Sequence, residues 1–319
     1  MSTPAASVPT DGTGPDDARL CEVRDGVLAW VQPDGSWWVN NAGAVTGPDG
    51  TLVIDTCATE TRTRRFLAAL RQASGDVPVR YAVSTHLHGD HTHGNCLLPA
   101  STVLIAHEET ARAVMLDPII DGCPPLWSPL PDWGDVTRRR ADLTFTTDLA
   151  LTLGGRRIEL RHPGHTAHTP GDVVAWLPDE RVLFTGDLLF HGLTPLVGMG
   201  SVDGALRALG WLDAFGAEAV VPGHGPLCTA DDLPAILAAQ ERYYRFVLET
   251  AEAGRRDAVP PLAAARRCDL GEFADWADAE RLVFNLHRAY ADAAGEPCDI
   301  GRAIVETAEF AGGQMHTHV

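Results

Sequence analysis

Lysine is missing from this chain: across 319 residues all 25 basic side chains are arginine, against 43 aspartates and glutamates, for a formal charge of −18. We read the missing lysine as a compositional bias of the source. The acidic balance, with no basic stripe interleaved with aromatics, repels a phosphate backbone, so no nucleic-acid partner is expected. No apolar run approaches the roughly eighteen residues of a membrane span. The opening MSTPAASVPTDGTGPDDARL lacks the basic start and apolar core of a signal peptide. Its Pro, Gly, Thr and Asp content predicts disorder over roughly the first 17 residues. Cysteine is scattered over positions 21, 57, 96, 123, 228, 268 and 298 with no CxxC pair. An odd, unpaired set argues against a disulfide framework and for a reducing, cytoplasmic setting. Cys57 and Cys96, though close to the motifs below, read as small core thiols. No GxSxG segment supplies a serine nucleophile.

What is present suits a catalytic domain with an added smaller region. A hydrophobic fraction of 45% is ordinary for a folded chain. Residues 1–21 are expected as a tail, 22–230 as the main domain and 231–319 as a helical C-terminal region. DGVLAWVQPDG and SWWVNNAGAVTGPDGTLVID alternate apolar runs with Gly- and Asp-rich turns, which predicts hairpins. TETRTRRFLAALRQASG takes a helical period, with Phe66, Leu67 and Leu70 on its apolar face. Strands are expected in VPVRYAVST, VLIAHEE, LTFTTDLALTLGG, RRIELRHPGH and DVVAWLPDERVLFTGD, then a helix near 203–215 and the strand AEAVVPGHG. The class is α+β, sheets covered by helices. DPIIDGCPPLWSPLPDWGD, inside the stretch 108–140, is too proline-rich for regular structure. Its two readings are a surface meander and a lid or substrate wall.

STHLHGDHTHG, residues 84–94, holds the first concentration of chemistry, an H-x-H-x-D-H run of His86, His88, Asp90 and His91. Where a strand ends near Thr85, side chains two apart point the same way, so His86 and His88 share a centre. Asp90 and His91 lie on the following turn and face another. Four ligands around one ion would crowd the backbone, which favours two neighbouring metals. Three later segments, HPGHT with His165, LFTGD with Asp187 and VVPGHG with His224, each put a polar residue beside glycine after an apolar run. Strand ends gather such residues at one sheet edge. Five imidazoles and two carboxylates suit zinc, and also iron or manganese.

STHLHGDH, PGHT, FTGD and PGHG, in that order, resemble the metallo-β-lactamase-fold hydrolases over roughly residues 22–230. The resemblance implies an αββα sandwich, here with additional C-terminal helices. It implies that His86, His88 and His165 hold a first metal, that Asp90, His91 and His224 hold a second, and that Asp187 bridges them. With aspartate at the bridging place and His91 available, the pattern is closest to the glyoxalase II-like and general hydrolase branches. Asp55 matches the acidic residue that these proteins carry behind the metal loop. His93, His168 and His191 fall outside the ligand set and are candidates for supporting or pocket roles. His162 is expected to be structural, and the HTH of residues 316–318 an unstructured tail.

Two zinc ions are therefore the expected cofactor. Such a site makes a metal-bound hydroxide near neutral pH, with Asp90 as the orienting catalytic carboxylate. The expected reaction is attack on an acyl carbon of a small thioester, ester, lactone or amide. Trp127, Trp133, Tyr243, Tyr244 and Trp276 are candidate wall residues. A mononuclear iron-dependent sulfur dioxygenase, a phosphodiesterase and a non-enzymatic metal-dependent binding protein are the alternatives. The sequence leaves open the substrate, the native metal and whether the chain forms homo-oligomers.

Overall fold

The structure, a computed structural model, describes residues 18–319; the disorder expected for the first residues lies outside that range. Strands β1 (Arg19–Arg24), β2 (Val27–Val31), β3 (Ala42–Gly47) and β4 (Gly50–Ile54) form an antiparallel meander. The segment 1–21 is thus not wholly a tail, because Arg19, Leu20 and Cys21 pair with Val31, Trp30 and Ala29.

Helix α1 (Glu60–Ser74) starts where the Thr59 hydroxyl accepts the Arg62 N–H at 3.2 Å and stops at Gly75, whose φ of 68° breaks the helix. Its apolar face carries the chain back so that β5 (Val79–Ser84) pairs parallel to β4. A single turn, α2 (Gly89–Thr92), leads to β6 (Val103–His107), parallel to β5. Helix α3 (Glu108–Val114) and the two-residue β7 (Trp127–Ser128) precede β8 (Leu143–Phe145), which completes a seven-stranded sheet in the order β1-β2-β3-β4-β5-β6-β8.

The second sheet contains β9 (Asp148–Leu153), β10 (Arg156–Arg161), β11 (Val174–Leu177) and β12 (Val182–Phe190). After helix α4 (Val202–Asp213) come β13 (Ala219–His224), parallel to β12, and β14 (Cys228–Thr229). The sheet runs β14-β13-β12-β11-β10-β9. Helices α5 (Leu233–Arg256), α6 (Pro261–Arg267), α7 (Arg281–Ala294) and α8 (Ile300–Phe310) follow, and β15 (Met315–His316) pairs with β7.

Three apolar layers account for the stacking. Between the sheets, Ile54, Val83 and Ile105 of the first meet Ile158, Leu177 and Phe184 of the second, all at most 2% exposed. Phe66 and Leu70 of α1 cover the outer face of the first sheet against Leu28, Val53 and Leu104. Leu209 and Leu212 of α4, with Tyr243, Val247 and Leu286 of the C-terminal helices, cover the second. Each fully buried Leu, Ile or Phe contributes roughly 1.5–3 kcal/mol. The architecture is the αββα sandwich with additional C-terminal helices.

Two local expectations change. The stretch 108–140 is not a bare meander, since it contains α3 and β7. The HTH terminus is ordered: Thr317 is buried, its hydroxyl donates to the Trp37 carbonyl at 2.5 Å, and His318 pairs with Asp34. Sequence polarity concealed this because the strand it joins is only two residues long.

Candidate metal centre

The end of β5 with the turn α2, the body of β12, the end of β13 and the loop between β10 and β11 bring two donor groups to one edge of the sandwich. His86, His88, His168 and Asp187 form one group, and Asp90, His91 and His224 the other, each with donor atoms within 4.8 Å of one another. Asp187 lies between them: its Oδ1 is 3.1 Å from His91 Nε2, and its Oδ2 is 3.3 Å from His224 Nε2 and 3.4 Å from His168 Nε2. Glycine at 223 makes this approach possible, because a Cβ there would stand 2.0 Å from Asp187 Oδ1.

His165 is not in either group, and His168 takes the place expected for it. The His165 ring bonds the Pro163 carbonyl at 3.0 Å and the Gly204 carbonyl at 3.1 Å, fastening its loop to α4. Three residues later the chain turns tightly, with the Thr169 N–H and hydroxyl donating to Asp172, and His168 is swung inward, 1% exposed. Of the three histidines in the loop HPGHTAH, His165 and His168 both lie within reach of the site, and the Thr-to-Asp turn after His168 is the local signal that favours it. Asp172, which closes that turn, was missed altogether.

The bonds behind the ring nitrogens set which atom of each imidazole faces inward. His168 Nδ1 donates to the Leu196 carbonyl at 2.6 Å and His224 Nδ1 to the Gly35 carbonyl at 2.9 Å, leaving both Nε2 atoms for the centre. Asp55 performs this for two rings at once. Its Oδ2 accepts from His91 Nδ1 at 2.8 Å and from the Thr85 hydroxyl at 2.7 Å, and that hydroxyl oxygen in turn accepts from His86 Nδ1 at 3.0 Å. The Thr85 N–H holds Asp55 Oδ1 at 2.7 Å, and Asp55 sits at φ 57°, a left-handed conformation that a non-glycine residue keeps only under strong local constraint. His88 is reversed: its Nε2 meets the Met199 sulfur at 3.3 Å, and its Nδ1 faces His86 Nε2 and His168 Nε2 at 3.1 and 2.9 Å. Fixing the outer nitrogen in this way presents a lone pair at the inner one.

The donors fit metal ions better than they fit one another. His91 Nε2 and Asp187 Oδ1 approach at 3.1 Å but off the line a hydrogen bond requires, so both are buried without a hydrogen-bond partner. Such orphans are costly unless something else satisfies them. Electrostatics agrees. Burial, with neighbouring imidazoles, holds His86 well below the ordinary histidine value and pushes His168 down to about 3. Burial opposes charge on His224 and His91, but the carboxylates of Asp187 and Asp90, joined at His91 by Asp55, together outweigh it, raising His224 to about 9 and His91 well above 6.5. Against the same burial, nearby imidazoles keep Asp90 and Asp187 ionised. His86, His168, Asp90 and Asp187 are thus held in the states in which such groups ligate, whereas His91 and His224 hold protons that a metal ion would have to displace.

A cavity of about 400 Å³ opens over the centre, with His88, Asp90, Asp187 and His224 in its lining. The stretch 108–140 supplies Leu116, Asp117, Ile119 and Trp127 to its wall, and the C-terminal helices supply Arg281, Phe284, Ile300 and Ile304. His93 stands behind this wall, 1% exposed, its Nε2 3.0 Å from Asp117 Oδ2 and its ring 5.2 Å from that of Trp133. His191 bonds the Pro226 carbonyl and belongs to neither donor group. Tyr243 and Tyr244 are core residues at 1% exposure, Trp276 packs against Tyr243, and Trp133 packs against Trp38. His162 packs tilted against His107, ring centres 4.4 Å apart, and its Nδ1 bonds the Asp172 carbonyl at 2.8 Å.

The sequence matches the metallo-beta-lactamase superfamily over residues 35–224. It is 28% identical over 188 residues to the 2,4-dinitroanisole O-demethylase subunit alpha of Nocardioides sp. (strain JS1661), covering 58% of this chain and 48% of that protein. To the linear primary-alkylsulfatase of Pseudomonas sp. (strain ATCC 19151) it is 25% identical over 223 residues, 57% of this chain and 40% of the relative. The chain therefore spans less than half the length of these curated relatives. Among solved structures, the inverting sec-alkylsulfatase Pisa1 from Pseudomonas sp. aligns with a TM-score of 0.69 at 17% identity, over 89% of this chain and 51% of that one. The metallo-beta-lactamase from Pontibacter korlensis aligns at 0.57 and 21% identity, over 72% of this chain and 99% of its own. At these identities the structural likeness concerns the fold. With more than half the chain matched and two clustered metal-donor groups in place, this protein belongs to the metallo-β-lactamase superfamily.

Proposed function

We propose that the chain is a zinc-dependent hydrolase acting on the acyl carbon of a small thioester, ester, lactone or amide. The observation that carries this reading is the pair of buried donor groups, with His91 Nε2 and Asp187 Oδ1 left unpartnered, at the floor of a cavity open to a small molecule. In this reading His86, His88 and His168 would hold one ion and Asp90, His91 and His224 the other, with Asp187 within reach of both groups. Two such ions supply Lewis-acid polarisation and acidify water towards neutral pH. Asp90, ionised and lining the cavity, would orient the attacking water. Asp55 keeps the His86 and His91 rings aimed, and the aromatic walls exclude bulk water. Five imidazoles and two carboxylates suit zinc, and the same set accepts iron or manganese. We place the catalytic part before about residue 230, with the later helices as its wall. Seven unpaired cysteines fit a reducing cytoplasm.

Metal quantification of the purified protein, with turnover assays on short thioesters, esters and lactones, tests the reading. The Asp90→Asn variant is expected to stay folded by circular dichroism and to lose at least about a hundredfold in kcat; hydrolysis near the wild-type rate would sink its assigned role. A second reading, sulfate-ester cleavage, comes from the alkylsulfatase relative. Turnover of dodecyl sulfate with none of the acyl substrates would replace the acyl reading. Oxygen uptake with a persulfide by an iron-loaded sample would instead favour the dioxygenase.

A further inference from the structure

We propose that the non-reacting part of the substrate is an uncharged apolar body, and that Asp117 on the cavity wall rejects an anion there. The inference rests on the hydrolase reading for the reacting group and goes beyond it for the remainder of the molecule. The floor of the cavity is polar and metal-binding, whereas its wall is built from Trp37, Trp127, Phe190, Leu196, Phe284 and Ile304. At the same cavity two apolar side chains reach solvent, Leu116 at 74% and Met199 at 39% exposure. Large apolar residues left in water beside an apolar recess are a usual mark of a binding surface.

The wall offers an anion no exposed cation. Arg281, its arginine, is 2% exposed: Nη1 donates to the Thr194 carbonyl at 3.0 Å, Nη2 pairs with Asp278 at 2.6 Å, the guanidinium lies 4.6 Å from the Trp37 ring centre, and Nε, though unpartnered, is buried away from an incoming ligand. Asp117 is the charged wall residue outside the donor groups that a substrate can approach, with its side chain 16% exposed. Its position is fixed on two sides, since Oδ1 accepts the Ile119 N–H at 2.9 Å and Oδ2 faces His93 Nε2 at 3.0 Å. A carboxylate held beside apolar walls repels a second anion with little water between them.

A pair of dyes sharing one skeleton tests this in the metal-loaded protein without any chemistry: neutral N-phenyl-1-naphthylamine and its sulfonated relative 8-anilinonaphthalene-1-sulfonate. The neutral dye is expected to bind, seen as energy transfer from tryptophan, and the sulfonate at least about tenfold more weakly. Asp117→Asn removes the charge, keeps the acceptor for the Ile119 N–H and meets His93 Nε2 with an amide donor instead of an acceptor, and it is expected to narrow that ratio. Leu116→Asp, at an exposed site that costs the fold little, is expected to widen it. Failure of the neutral dye to bind, equal affinities, or a ratio that neither variant moves would each overturn the proposal. Turnover of 4-nitrophenyl hexanoate is measured separately. Dye selectivity without ester turnover would leave the cavity proposal standing and the acyl reading lost, and turnover without selectivity would do the reverse.

Discussion

At the scale of single residues, the metal centre depends as much on what stands behind the ligands as on the ligands. Asp55 touches neither donor group's centre, yet through His91 and the Thr85 hydroxyl it fixes one ring in each group. An asparagine there has one acceptor oxygen in place of two. Asp55→Asn is therefore expected to weaken metal retention about 10–100-fold, measured by competition with a chelator. The exchange of His165 for His168 is tested the same way. His168→Ala should lose metal stoichiometry, while His165→Ala should keep it and lose only stability, because that ring bonds backbone carbonyls. Equal metal content in the two variants would contradict the geometry.

At the scale of elements, the cavity is a joint product of segments far apart in sequence. β15 clasps β7, and Met315, fully buried, packs with Trp37, Trp127 and Ala308. Met315→Ala is expected to cost about 2–5 kcal/mol, read as a lowered denaturation midpoint. It should also impair turnover of apolar substrates more than it lowers metal content, since the clasp supports the wall and not the floor. The stretch 108–140 owes its order to the same assembly: the Trp133 indole donates to the Ile119 carbonyl at 2.9 Å and Arg138 pairs with Asp121. None of these partners has a periodic sequence signature.

At the scale of the whole molecule, the donor residues come from both sheets, so metal binding ties the sandwich together at one edge. Chelation is expected to lower the melting temperature and metal to restore it, by mass action on the folded state. The metal-free protein should also have a distinctive pH profile. His224, raised to about 9, stabilises the fold fully below 6.5 and loses that contribution as pH climbs towards 9. His168, pushed down to about 3, stays neutral when folded, so its cost grows as pH falls from 6.5 and the unfolded ring takes up a proton. Scanning calorimetry of chelated protein should find maximal stability near pH 6.5, with decline on either side. Among the described residues, no helix is long and apolar enough to cross a membrane.

The sequence by itself determined the α+β class and offered His86, His88, Asp90, His91, Asp187 and His224 as candidate donors; its resemblance to the metallo-β-lactamase-fold hydrolases implied the sandwich and Asp55 behind the donors. Those features are local: alternation and helical period define the elements, and a strand end followed by a polar residue and glycine marks a sheet edge. The tertiary structure decided between His165 and His168, because the choice turns on how one loop folds against α4. It also ordered the terminal HTH, with His316 in β15 and Thr317 and His318 bonded to Trp37 and Asp34, and it built the cavity wall from side chains more than a hundred residues apart. Contacts of that kind leave no periodic trace in the chain, and only the packed fold brings them together.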